Sequence, residues 1–474
     1  MRHASIARTL LLTAAVVATR LPAPAAASGQ QVDDSATIAG YRATTDRLIA
    51  AATSDSAAWL RLAELTDRFG NRLSGSESLE RALDWVLDRM REDGLDNVHA
   101  ERAMVPHWVR GNESLQLVEP RPARLPMLGL GGSISTPPEG ITAPVLVVSD
   151  TLELAAHAAE ARGKIVLFDA PYVNYGVTVQ YRAHGAVWAS RVGAVAALLR
   201  SVSPFEMREP HTGVTYYDST VRRIPFAAIA IEDAAMLHRM QRRGQSVVVT
   251  LKMEARTLPD APSRNVIGEL RGRERPDEVV VVSGHMDSWD VGTGAMDDGG
   301  GVMVAWEALR VMKRLGLRPR RTVRVVGWTN EENGDRGGEA YRDAHAPQLD
   351  DHALAIESDG GVFRPTGFGF TGSDSAFAIV RQIGRLLDGI GADTITKGGG
   401  GTDIGPMMER GVPGMGLNDD GTRYFWYHHS DADTVDKLDP AEMAKCVAAM
   451  AVMAYVVADL PVKLPRGGPR PAGE

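Results

Sequence analysis

The residues from Val279 to Val282 form an unbroken β-branched run that ends at Gly284. Apolar residues in succession, with no polar alternate, predict a strand buried on both faces, as in a parallel sheet covered by helices. After a glycine-rich turn, Val302, Ala305, Leu309 and Met312 recur at helical spacing, with Val304, Ala308 and Val311 beside them. The alternation of strand and helix continues, with further strands predicted at 322–329, 353–357 and 412–417. Residues 39–93 read as helical instead. Trp59, Leu62, Ala63 and Leu65 mark one helix, and Leu79, Ala82, Leu83, Val86 and Met90 another. The RLSGS stretch between them, residues 72–76, predicts a turn before a helix, with a substrate-facing loop as the alternative.

Two Pro-rich shifts, at 119–126 and 258–262, bracket short strands at 144–149, 164–169, 224–231 and 246–252 and an apolar piece at 192–200. This pattern predicts a β-rich domain, residues 119–257, inserted into an α/β domain built from 28–118 and 258–465, with a flexible tail at 466–474. Residues 205–218, with Tyr216 and Tyr217, predict a long loop able to reach a site elsewhere. His184 and His211 lack metal spacing and read as surface or core histidines. His345 and His352 flank a connection and read as solvent-facing.

Residues 1–27 carry Arg2 and Arg8, a short apolar run and small residues at Ala25 and Ala27, the pattern of a cleaved signal peptide. The chain is therefore expected to be secreted or periplasmic. With 52 Lys and Arg against 60 Asp and Glu, it is acidic and has no basic block. That balance argues against nucleic acid or an anionic membrane as partner. The single cysteine, Cys446, rules out an intrachain disulfide, so stability must come from burial. Residues 446–458 are apolar but too short for a bilayer, and predict a buried helix on the sheet rather than a membrane anchor.

The chemistry collects at strand ends. His285 and Asp287 follow the first strand, Asp297 and Asp298 lie in the glycine-rich turn, and Asn330, Glu331 and Glu332 follow the second. Ser358 and Asp359 follow the third strand, and residues 424–427 with His428 and His429 come after the fourth. Ligands of open α/β sheets bind beyond the carboxyl ends of strands. Imidazole with carboxylate suits a borderline cation such as zinc. In an extended chain adjacent residues point to opposite sides, so one of Glu331 and Glu332 can ligate a metal while the other moves protons. KGGGGTD, residues 397–403, reads as backbone approaching substrate or as a plain flexible loop.

Taken in order, GHMDSWDVGTGAMDDGGG, WTNEENG, ESDGG and FWYHHSDADT resemble the motifs of the co-catalytic zinc exopeptidases of metallopeptidase family 28. RLSGSESLERA, the inserted stretch and SPFEMREPHTG are similar to a carboxypeptidase subgroup of that family. The resemblance implies a zinc exopeptidase sandwich, a mixed and mostly parallel sheet with helices on both faces, and an inserted protease-associated domain. It also implies two zinc ions per chain and a homodimer. His285 and Asp359 would hold one ion, Glu332 and His429 the other, and Asp297 both. Glu331 would be the general base, and Asp287 would orient the ring of His285. Many relatives have Tyr before the last ligand where this chain has His428. His428 is thus the expected oxyanion partner, with Tyr427 as the alternative.

The implied substrate is a dipeptide or short peptide. Which terminus is read stays open, with Arg364 and Arg423 as candidates for a substrate carboxylate. Two competing readings are a single-zinc acyltransferase of the glutaminyl cyclase kind and a non-catalytic binding protein on a peptidase fold. The full five-ligand set and the inserted domain speak against the first, and the retained ligands and base against the second.

Overall fold

The computed structural model describes residues 34–205 and 207–467. The expected signal peptide, 1–27, lies outside them, as do residues 468–474 of the expected tail. Arg466, at the start of that tail, pairs with Asp350 at 2.8 Å.

An eight-stranded mixed sheet carries the fold. Its four central neighbours are Arg321–Trp328, Arg275–His285, His352–Glu357 and Gly414–Asp419, all parallel. Antiparallel strands flank them: Arg256–Leu270 and Asp96–Val109 on one side, Pro365–Thr371 on the other. The β-branched run behaves as its composition requires. Val280 and Val282 enter the core on one face with Val323, Val325, Leu354 and Ile356, and Val279 and Val281 enter that on the other with Val326 and Ala355. Alternate residues of a strand point to opposite faces, so an uninterrupted apolar run is stable only where both faces are covered.

Helices Gly300–Arg314 and Pro440–Asp459 pack together on the first of these faces. Pro440–Asp459 is the one helix among the described residues long and apolar enough to cross a membrane. Most of it is buried inside the fold, and it holds Cys446 at 0 % exposure. A core helix of a protein and a membrane span share this composition, and here the sheet covers it.

Between Asp96–Val109 and Arg256–Leu270 the chain builds a second eight-stranded sheet, from Glu113–Glu119 to Val248–Met253. It is not purely β. Ile141–Val148, Ile165–Phe168, Ala196–Arg200 and Phe226–Ile229 run parallel, with helices Tyr175–Arg191 and Ile231–Arg242 among them. Tyr175–Arg191 lies on the crossover from Ile165–Phe168 to Ala196–Arg200, since parallel neighbours need a connecting segment of such length. The second Pro-rich stretch, 258–262, is extended backbone. It lies in strand Arg256–Leu270, whose pairing with Arg321–Trp328 starts only at Val266. Pro259 and Pro262 therefore sit where the strand has a free edge, which tolerates a missing N–H.

Candidate active site

Four strand ends meet at one edge of the main sheet. His285 closes the central strand, and its Nε2 stands 3.1 Å from Oδ1 of Asp297 and 3.3 Å from Oδ1 of Asp359. Beyond Asp297, Nε2 of His429 stands 3.2 Å from Oδ2 of Asp297 and 2.9 Å from Oε2 of Glu332. Oε2 of Glu331 lies 4.0 Å from Nε2 of His285. His428 stacks on His429, and its Nε2 lies 3.5 Å from Oδ2 of Asp297. His429 thus touches both carboxylates, whereas His428 faces only one.

These donors fit zinc. Ligands bound tetrahedrally at about 2.0–2.1 Å stand about 3.3 Å apart. Oδ2 of Asp297 is buried and has no hydrogen-bond partner. Among the described residues, His285, Asp297 and Asp359 form one group able to hold a metal, and Asp297, His428 and His429 form another. Asp297 is common to both.

Burial, then the charge of Asp359, holds the Glu331 carboxyl well above the usual carboxylate range. Burial, then Asp297, raises Glu332 as well. Burial alone would raise Asp297, but the neighbouring imidazoles of His285 and His429 hold it well below the usual range. Burial, then the ring of His429, pushes His428 well below the imidazole range. A divalent cation is the charge that reverses the burial penalty on such carboxylates.

The surrounding backbone is fixed by polar groups. Oδ2 of Asp298 accepts the N–H of His285 at 3.0 Å, and its Oδ1 accepts that of Gly301 at 3.0 Å. A Cβ on Gly284 would collide with that carboxylate and with the backbone of Gly301 and Val302, so only glycine allows the strand and helix to meet here. Asp433 accepts the N–H groups of Ala295, Met296 and Asp297, tying the His429 loop to the Asp297 turn. Asn330, with φ 69°, and His429, with φ 60°, hold left-handed backbone directly at the site. Such conformations persist where the surroundings over-determine them, and they cluster at functional sites.

Asp287 has a different partner from the one expected. Nδ1 of His285 meets the Asp287 backbone carbonyl at 3.0 Å, while the carboxylate lies 3.8 Å away. That carboxylate accepts the N–H groups of Glu331 at 3.1 Å and Glu332 at 3.3 Å, and the hydroxyl of Ser74 at 3.1 Å. The RLSGS stretch is a turn before helix Glu77–Glu92, capped by Ser76. Arg72, from the same turn, donates to the carbonyls of Met286, Thr293 and Gly294 behind the site.

The long loop does reach the site. Nδ1 of His211 lies 2.6 Å from the carbonyl of His428, and the N–H of Thr212 donates to that of His429 at 2.9 Å. A cavity of about 650 Å³ opens over the donors, lined by Tyr175, Arg182, Tyr216, Tyr424 and Thr402 as well. Thr402 belongs to the glycine-rich loop, where Gly401 packs against the Glu357 carboxylate. Tyr427 is not among the lining residues, nor are Arg364 and Arg423, which pair with Asp420 and Glu442. His352 is buried against the hydroxyl of Tyr341, not solvent-facing. Arg182 and Tyr175 escaped the sequence reading. The available signal was an arginine on a helix face of small residues, with Thr178, Ala183, Ala186 and Ala189.

The family model for peptidase family M28 matches residues 265–454. Human carboxypeptidase Q is 50% identical over 406 residues, 86% of this chain and 86% of the human protein. The crystal structure of a peptidase M28 precursor from Shewanella amazonensis superposes with a TM-score of 0.87 at 34% identity, covering 90% of this chain and 99% of that one. A zinc aminopeptidase from Bacillus subtilis shares the fold, with a TM-score of 0.65 at 22% identity over 86% of this chain and 96% of its own. The chain is a metallo-exopeptidase that belongs to peptidase family M28.

Proposed function

We propose that the chain is a secreted or periplasmic dizinc exopeptidase that hydrolyses dipeptides or short peptides. The observation that carries this reading is Asp297, whose two oxygens face two separate imidazole–carboxylate pairs. His285 and Asp359 would hold one ion, Glu332 and His429 the second, and Asp297 would serve both. Such a pair, when bound, polarises a scissile carbonyl and acidifies water. Glu331 stands beside the donors without being needed as a ligand. It takes the proton of the attacking water on its carboxylate and hands it to the leaving amine. His428 is neutral in this setting and donates one N–H toward the developing oxyanion. Asp287 keeps both glutamates in register through their N–H groups.

The second sheet is read as the protease-associated domain. Support comes from its place between two neighbouring strands of the main sheet, from which the chain leaves and to which it returns. Export rests on the signal-like residues 1–27. Product analysis on free and end-blocked di- and tripeptides, with zinc supplied, tests the activity. Release of single residues or cleavage of dipeptides is expected, and internal cleavage of blocked peptides alone would overturn the reading.

A further inference from the structure

Arg182 is 5% exposed, yet no carboxylate compensates it. Its contacts are all with uncharged groups. Nη2 donates to the Tyr175 hydroxyl at 2.8 Å, and Nη1 donates to the Thr212 carbonyl at 3.3 Å. Nη1 also stands 3.2 Å from Nδ1 of His429. Nε is buried with no hydrogen-bond partner. None of the ion pairs among the described residues includes Arg182, whereas buried Arg110 has both Asp290 and Glu113. Arg72, fully buried behind the site and likewise in none of those ion pairs, has its Nε, Nη1 and Nη2 all on backbone carbonyls. A buried guanidinium without a counter-charge is costly. Carbonyls alone can hold such a group, as they hold Arg72, but the Nε of Arg182 has no acceptor in the chain, which leaves a donor for a partner from outside.

The cavity supplies the route. Arg182 lines it, and the other charged lining residues are acids: Asp297, Glu331, Glu332, Asp335 and Asp359. The guanidinium is separated from the donor cluster by the single ring of His429, which faces Arg182 through one nitrogen and Glu332 through the other. An extended residue advances the chain by about 3.3–3.6 Å. A carboxylate bound at Arg182 thus lies roughly one residue from a carbonyl at the donors. That spacing matches the terminal carboxylate of the residue being released. The longer reach of an acidic side chain fits it less well.

We propose that Arg182 is a specificity-determining residue that receives the free C-terminal carboxylate of a short peptide, with the Tyr175 hydroxyl holding the guanidinium in place. This deepens the exopeptidase reading and rests on it. Arginine matches a carboxylate with parallel N–H donors, and the Nε of Arg182 is the donor left without a partner in the chain.

The test compares wild type, Arg182→Gln and Arg182→Lys at matched zinc content. Substrates are Ala-Ala and Ala-Glu, each as the free acid and as the C-terminal amide. Calorimetry of the same ligands on Glu331→Gln, with and without Arg182→Gln, reads binding apart from turnover. The expected result is that the free-to-amide preference in kcat/KM falls by roughly 10²-fold in Arg182→Gln, mostly through KM, as for removal of one partner of a buried charge pair. Arg182→Lys should recover part of it. Equal losses on acid and amide would overturn the proposal and assign Arg182 to bracing His429. A loss that follows the glutamate side chain in both forms would also overturn it. If wild type cleaves no dipeptide, the exopeptidase reading fails, and calorimetry still decides whether Arg182 binds the carboxylate.

Discussion

The imidazoles of His428 and His429 are stacked, with centroids 3.5 Å apart and planes 20° from parallel. Two like rings in contact disfavour the second positive charge, and burial adds to this. His428 is thereby kept neutral beside His429. A phenyl ring preserves the stack and removes the N–H. His428→Phe is expected to keep its zinc and lose roughly 10²–10³ in kcat, the usual cost of an oxyanion donor. His428→Tyr should regain part. Near-normal kcat in His428→Phe at matched zinc would end the oxyanion role.

Asp297 faces both imidazole–carboxylate pairs, so Asp297→Asn is expected to lower occupancy at two positions. His285→Ala should spare the ion held by Glu332 and His429. Elemental analysis with dialysis against graded zinc separates the cases. Equal loss of both ions from each variant would contradict a shared ligand.

Glu331 and Glu332 are neighbours for which opposite duties are proposed. Glu331→Gln keeps size and hydrogen bonding, so zinc content should hold while turnover falls by roughly 10²–10⁴-fold. Glu332→Gln should instead weaken zinc binding, because Oε2 of Glu332 is the atom facing His429. The opposite pattern in zinc content would reverse the assignment.

His352 gives a pH signature away from the site. Burial pushes its imidazole down to about 3, although the Gln348 carbonyl opposes the shift. Below the ordinary histidine pKa of about 6.5 the unfolded chain takes up a proton that the folded chain refuses. Stability from this group is thus complete above about 6.5 and is lost as pH falls toward about 3. Thermal melts of wild type and His352→Gln between pH 7 and pH 5 should show a shallower decline in the variant. Parallel curves would mean that His352 is not the group responsible.

Much of the site was legible because its parts are local. A β-branched run that ends in glycine and then histidine can be read as a strand delivering a ligand, and four such ends in order bring their polar residues to one sheet edge. The ordered motifs carried the family likeness for the same reason. The duty of Asp287 was not legible. Its carboxylate bonds the backbone of Glu331 and Glu332, just beyond the end of a neighbouring strand, and strand order is not written in local spacing.

By itself, then, the sequence determined the strand ends, the donor types and the acidic pair, since backbone alternation and turn chemistry act over a few residues. Only the tertiary structure decided what closes over them. His211, Thr212 and Arg182 come from the second sheet's segment, far along the chain from His429, and they meet it because that sheet folds back across the donor edge. The charge of Arg182 could be seen in the sequence, but the absence of any carboxylate beside it could not. Compensation of a buried charge is a property of three-dimensional neighbours, and no pattern along the chain records it.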